Sequence, residues 1–87
     1  MAKVEIYTWQ SCPFSIHAKA LLDRKKVSYM EHSIDGDHGA RMAMTDRAGG
    51  RNTLPQIFID DRGIGGCDEL HALESGGQLD DLLHGKA

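Results

Sequence analysis

Cysteine is scarce in this chain, with only Cys12 and Cys67 among 87 residues. A small secreted domain normally needs several bridges, so two widely spaced cysteines argue against a disulfide framework and for a reducing, cytoplasmic setting. Aromatic residues are few, at 6%, no run of Lys and Arg is longer than Arg24-Lys25-Lys26, and the formal charge is −3. That balance argues against a nucleic-acid surface. Long apolar runs are missing too: none approaches the ~20 residues that a membrane helix requires. The opening MAKVEIYT passes directly into an alternating pattern with no apolar signal region. The five histidines (17, 32, 38, 71 and 84) show no paired metal-ligand spacing, so no metal is expected. Asp60-Asp61 and Asp80-Asp81 read as solvated turn and cap residues.

What the chain does contain is ordinary for a globular protein: 40% hydrophobic and 26% charged residues. At this length one domain, residues 1–87, is expected, burying about 60% of its unfolded surface. Val4–Thr8 (VEIYT) alternates apolar and polar residues and predicts a strand. Pro13 suits the first position of a helix, and Phe14, Ala18, Leu21 and Leu22 continue it at helical spacing to about Lys26. Val27–Ile34 alternates again as a second strand, which makes a strand–helix–strand unit. Asp35-Gly36-Asp37 forms a turn and cap before a second helix over 38–47. Leu54–Ile59 predicts a third strand with Pro55 at its start, where a missing N–H is tolerated. A turn over Asp60–Gly63, a very short strand at Ile64, a helix capped by Cys67-Asp68, and a last helix around Leu79–Leu83 complete the order. The result is a small α/β fold with a mixed sheet.

The stretch WQSCPFS carries the chemistry. Cys12 follows a predicted strand, sits at a helix N-cap and precedes Pro13. A helix N-terminus holds roughly half a positive charge and unpaired N–H groups, both of which favour an anion. Thiols so placed ionise well below the ordinary value of about 8.5, down to ~3.5–7.5, and act as nucleophiles at neutral pH. Ser15 stands where its hydroxyl could donate to the sulfur. An isolated cysteine is more often a small buried residue; the strand–turn–proline context favours reactivity instead. Gly65-Gly66-Cys67-Asp68 is a second candidate element, because glycines allow close backbone approach and a helix N-terminus welcomes a carboxylate. Cys67 itself has no neighbours organising it for attack and reads as a structural thiol.

VEIYT, CPFS, LPQIFID and GGCDEL, in this order and spacing, resemble a glutaredoxin of the short bacterial type over nearly the whole chain. The resemblance implies a thioredoxin-like (glutaredoxin) fold, a four-stranded mixed sheet flanked by helices, with glutathione as co-substrate. It implies that Cys12 is the catalytic thiol and that Pro13 and Phe14 border the ligand. It implies a cis peptide bond before Pro55 of Thr53-Leu54-Pro55, and Leu54 backbone groups that pair with glutathione as with a short added strand. It further implies that Gly66, Cys67 (through its backbone) and Asp68 hold the γ-glutamyl end.

Two departures matter. Relatives often carry a lysine shortly before the active-site cysteine, where this chain has Thr8 and Trp9; the glycine carboxylate of glutathione would then fall to Arg51 or another basic side chain, or to backbone donors. The family pattern is C-P-[YF]-C, and Ser15 occupies the position of the second, resolving cysteine. A hydroxyl cannot form an S–S bond, so the expected activity is the one-thiol path: reduction of glutathione mixed disulfides through Cys12. Expected partners are glutathione and glutathionylated or disulfide-containing proteins, with the chain a monomer. The alternative is a bridged dimer carrying a [2Fe–2S] cluster ligated by two cysteines and two glutathiones. Single-thiol relatives of that kind read C-G-F-S, and Pro13 in place of glycine disfavours it.

Overall fold

The computed structural model describes residues 3–84; the ends of the expected 1–87 domain, residues 1–2 and 85–87, lie outside the described residues. The elements are β1 (Val4–Thr8), α1 (Pro13–Arg24), β2 (Met30–Ser33), α2 (His38–Arg47), β3 (Gln56–Ile59), β4 (Arg62–Gly65), α3 (Cys67–Ser75) and α4 (Leu79–Leu83). They form the four-stranded mixed sheet flanked by helices, in the order β2-β1-β3-β4. β1 pairs parallel with β2, placing Tyr7 beside His32, and antiparallel with β3, placing Ile6 beside Ile57.

The period-2 alternation of strands sorts side chains to two faces. Val4, Ile6, Ile57 and Ile59 point into a core completed by Ala18, Leu21 and Leu22 of α1, Leu70 of α3, and Leu79 and Leu83 of α4. Glu5, Tyr7 and Phe58 occupy the opposite face, where Arg47 of α2 lies 4.1 Å over the Phe58 ring. The central strands are therefore covered on both sides, which is why Glu5 is buried despite its charge.

Several boundaries differ from the sequence expectation, each for a local reason. β2 is shorter than Val27–Ile34: Lys26 takes φ 58° as the chain leaves α1, and Val27 is spent on the core before strand pairing begins. Ile34 still donates its N–H to the Thr8 carbonyl at 3.0 Å, so the ladder runs one residue beyond the strand. β3 begins at Gln56 because Pro55 has no N–H to give. The hairpin turn is only Asp60-Asp61, with φ of 51° and 66°, as a two-residue type I′ connection demands. That tightness frees Arg62 and Gly63 to join β4. No helix among the described residues is long and apolar enough to cross a membrane.

Candidate functional site

The end of β1 delivers the chain to a tight turn in which the Cys12 N–H donates to the Trp9 carbonyl at 3.0 Å. Cys12 is the N-cap of α1 with extended backbone (φ −83°, ψ 117°), and Pro13 follows at the first helical position. No side chain caps this helix start. Its first-turn N–H groups and positive dipole end are thus left for whatever anion sits at the cap. The thiol is half-buried, and its Sγ lies 3.9 Å from the Leu54 carbonyl oxygen.

Ser15 is buried, with 1% exposure. Its hydroxyl does not serve the sulfur as the sequence suggested. Instead it accepts the Trp9 N–H at 3.4 Å, and no hydrogen bond joins it to Cys12 among the described residues. The turn folds the Trp9 peptide back over the first turn of α1, which brings its N–H to the buried hydroxyl oxygen.

The second wall is Thr53-Leu54-Pro55, where the Leu54–Pro55 peptide is cis. Gln56 holds this wall from inside the sheet. Its amide, buried at 2% exposure, donates to the Thr53 carbonyl at 3.0 Å and the Thr53 hydroxyl at 3.1 Å. A polar side chain at such a depth is tolerated because its donors are satisfied.

The third wall is the start of α3. The N-cap is Gly66 rather than the expected Cys67-Asp68 pair, and Glu69 reaches back to accept the Gly66 N–H at 2.8 Å. A Cβ at Gly66 would stand 3.1 Å from the Pro55 carbonyl, so glycine is what lets the α3 start close against the second wall. Cys67 and Asp68 are first-turn residues, whose N–H groups have no carbonyl four residues back to receive them. Burial, helped by the Asp68 charge, pushes the Cys67 thiol up, and its sulfur lies 3.4 Å from His71 Nδ1. A buried, protonated thiol is a poor nucleophile.

Between these walls lies a groove of about 340 Å³ lined by Phe14, Thr53-Leu54-Pro55, Gly66-Cys67-Asp68 and Glu69. Phe14 is 57% exposed, a large apolar side chain left to solvent beside the thiol. A hollow of similar size, about 350 Å³, lies between β4, α3 and α4 and contains no thiol. Cys12, Pro13 and Arg51 are not among the residues that line the groove; Cys12 stands next to it, against Leu54, and Arg51 lies farther off. Its guanidinium packs at Gly65, where an added Cβ would meet Nη1 at 2.9 Å and Glu69 Oε1 at 2.6 Å. That places it at the α3 end of the site. Sequence reasoning missed Glu69, although its three-residue spacing from a cap position is a legible capping signal. It also missed Arg41, whose guanidinium lies 5.8 Å from the Trp9 ring; no local pattern links residues on separate elements. Among the described residues no group of three or more His, Cys, Asp or Glu side chains is arranged to hold a metal ion.

Residues 4–64 match the sequence profile of the family described as Glutaredoxin. A probable glutaredoxin of Synechocystis is 65% identical over 82 residues, covering 94% of this chain and 75% of that protein. Glutaredoxin 3 of Escherichia coli is 55% identical over 83 residues, covering 95% of this chain and 99% of that one. The solution structure of a glutaredoxin from Brucella melitensis superposes with a TM-score of 0.83 at 48% identity, covering 95% of this chain and 89% of that one.

Proposed function

The chain belongs to the glutaredoxin family of thiol–disulfide oxidoreductases, and from that premise we propose that it reduces glutathione mixed disulfides by a one-thiol mechanism through Cys12. The observation that carries this reading is the single half-buried thiol at an uncapped helix N-terminus, 3.9 Å from the Leu54 carbonyl and beside a peptide-sized groove.

In the first step the Cys12 thiolate attacks the glutathione sulfur of a mixed disulfide R–S–S–G. The S–S bond of the mixed disulfide breaks, R–S⁻ leaves and takes a proton, and Cys12–S–S–G forms. In the second step the thiolate of another glutathione attacks the glutathione sulfur of that adduct. Oxidised glutathione departs and the Cys12 thiolate returns. The sum is R–S–S–G + GSH → R–SH + G–S–S–G: one thiol and one disulfide are consumed and one of each is formed, so atoms and electrons balance. Exchange of this kind depends on thiolate fraction, leaving group and access.

The groove's parts suit the three ends of glutathione. The cysteinyl unit would pair with Leu54 backbone, a strand-like contact that reads no side chain. The γ-glutamyl carboxylate would meet the Cys67 and Asp68 N–H groups, with the Asp68 carboxylate facing its ammonium. Phe14 and Pro13 would cover the ligand's apolar stem, and Thr53 would flank it. The glycine carboxylate would fall to Arg51, at the α3 end, or to another basic side chain. Ser15 leaves the family's resolving position without a thiol, so the adduct on Cys12 waits for an external glutathione. Its substrates would be glutathionylated proteins in a reducing compartment, met by the chain as a monomer.

The test is steady-state turnover of a glutathione mixed disulfide by the protein and by Cys12→Ser. Loss of turnover with retained fold is expected. A Cys12→Ser protein as active as the parent removes the assignment.

A further inference from the structure

Trp9 is the hub of the turn that carries the thiol. Its carbonyl takes the Cys12 N–H at 3.0 Å and its own N–H goes to Ser15. Its indole ring has a partner from a different element, the Arg41 guanidinium of α2 at 5.8 Å from the ring centroid, within the range of a cation–π contact. The same guanidinium donates through Nη2 to the Asn52 carbonyl at 2.9 Å. Asn52 is two residues before Leu54, whose carbonyl faces the Cys12 sulfur. Two chain segments therefore flank the sulfur, the Trp9–Cys12 turn and the Asn52–Pro55 wall, and both are anchored on one side chain.

We propose that Arg41 is a positioning residue that sets the approach of the Cys12 sulfur to the Leu54 backbone, acting through Trp9 on one side and Asn52 on the other. Arginine suits this task because its planar group offers a face to an aromatic ring and, at the same time, an edge of N–H donors to a carbonyl. Neither loop has a regular ladder of its own at these positions. Each has its own anchor, the Gln10 N–H on Asp35 Oδ1 at 2.8 Å for the turn and the Gln56 amide on Thr53 for the wall, but the guanidinium joins the two; without it the spacing between the sulfur and the Leu54 carbonyl is no longer fixed. The proposal rests on Cys12 being the reacting thiol, which Cys12→Ser tests separately.

The experiment compares Arg41→Met, Trp9→Ala and the double variant by two readouts: the rate at which iodoacetamide alkylates Cys12 at neutral pH, and kcat and KM for a glutathione mixed disulfide. Each single variant is expected to alkylate about three- to tenfold more slowly, the scale of one cation–π contact plus one hydrogen bond. The double variant should be no slower than the worse single, because the two residues form one unit. If Arg41→Met does not fold, Arg41→Gln, which retains an N–H donor for Asn52 but no cation, carries the same test. Unchanged alkylation with a raised KM would mean that Arg41 touches the substrate directly and would overturn the proposal. Effects that multiply in the double variant would overturn it too.

Discussion

Lowering the pH is expected to unload an ion-pair network on the α2 face of the sheet, and Glu5 sets its size. Its side chain is 11% exposed and sits in central strand β1. Arg47 Nη2 donates to its carboxylate at 2.5 Å, with His32 Nε2 at 3.3 Å and Lys3 Nζ at 4.0 Å. The Arg47 hydrogen bond outweighs the opposing effect of burial and holds the carboxyl at about 2, against an ordinary 4.5. At ~1.4 kcal/mol per pH unit, that depression stabilises the native state by about 3 kcal/mol. The same contact raises Arg47; it is one interaction seen from both partners and is not added twice. Because the folded value lies below the unfolded one, the stabilisation is fully present above the unfolded value and is lost as pH falls toward the folded value. Urea unfolding of the parent and of Glu5→Gln should be compared from about pH 6 down to about pH 2.5. Other carboxylates, Glu31 and Asp80 among them, are also held low, but they act in both proteins and cancel in the difference. The stability gap should shrink by roughly 2.5 kcal/mol over that range. A gap that stays constant with pH refutes the reasoning, since it would mean that Glu5 ionises alike in folded and unfolded chains.

Gly65→Ala should be strongly destabilising and should disturb the α3 start. Its φ of +115° is strained for any side chain, and the new Cβ would collide with Glu69 Oε1 at 2.6 Å; thermal melting checks this, and an unchanged midpoint counts against it. Ser15→Cys should allow an internal disulfide with Cys12 after oxidation and raise reduction of dithiol protein disulfides. Mass spectrometry with thiol counting reads the first and insulin reduction the second, and two free thiols persisting after oxidation at these positions would contradict it. Asp68→Ala should raise KM for glutathione mixed disulfides by about fivefold. A charge-assisted contact is worth roughly 1.5–3 kcal/mol when shielded, and Asp68 is exposed, which reduces it to about 1 kcal/mol; an unaltered KM takes Asp68 out of the site.

Local sequence determined the order of elements and the turn that carries Cys12. Period-2 runs such as VEIYT, helical spacing from Phe14 to Leu22, and the Asp37 cap that accepts the Ala40 N–H depend only on near neighbours, so they are legible in the chain. The same holds for Cys12-Pro13, since a cap followed by a first-turn proline is a property of four or five consecutive residues. What the tertiary structure decided is where long-range partners compete for the same atoms. The Ser15 hydroxyl oxygen accepts the Trp9 N–H because the turn folds that peptide over α1, which no spacing announces. Arg51 packs at Gly65 and Glu69 instead of joining the groove lining, because the hairpin brings β4 past the 50–52 loop. Glu5 alternates as a solvent-facing residue in sequence, yet it is buried once α2 covers the second face of β1. Arg41 meets Trp9 and Asn52 only when three separated segments converge. Hydrophobic periodicity specifies faces and elements; the destination of a buried polar atom depends on which donor or acceptor the fold brings within reach.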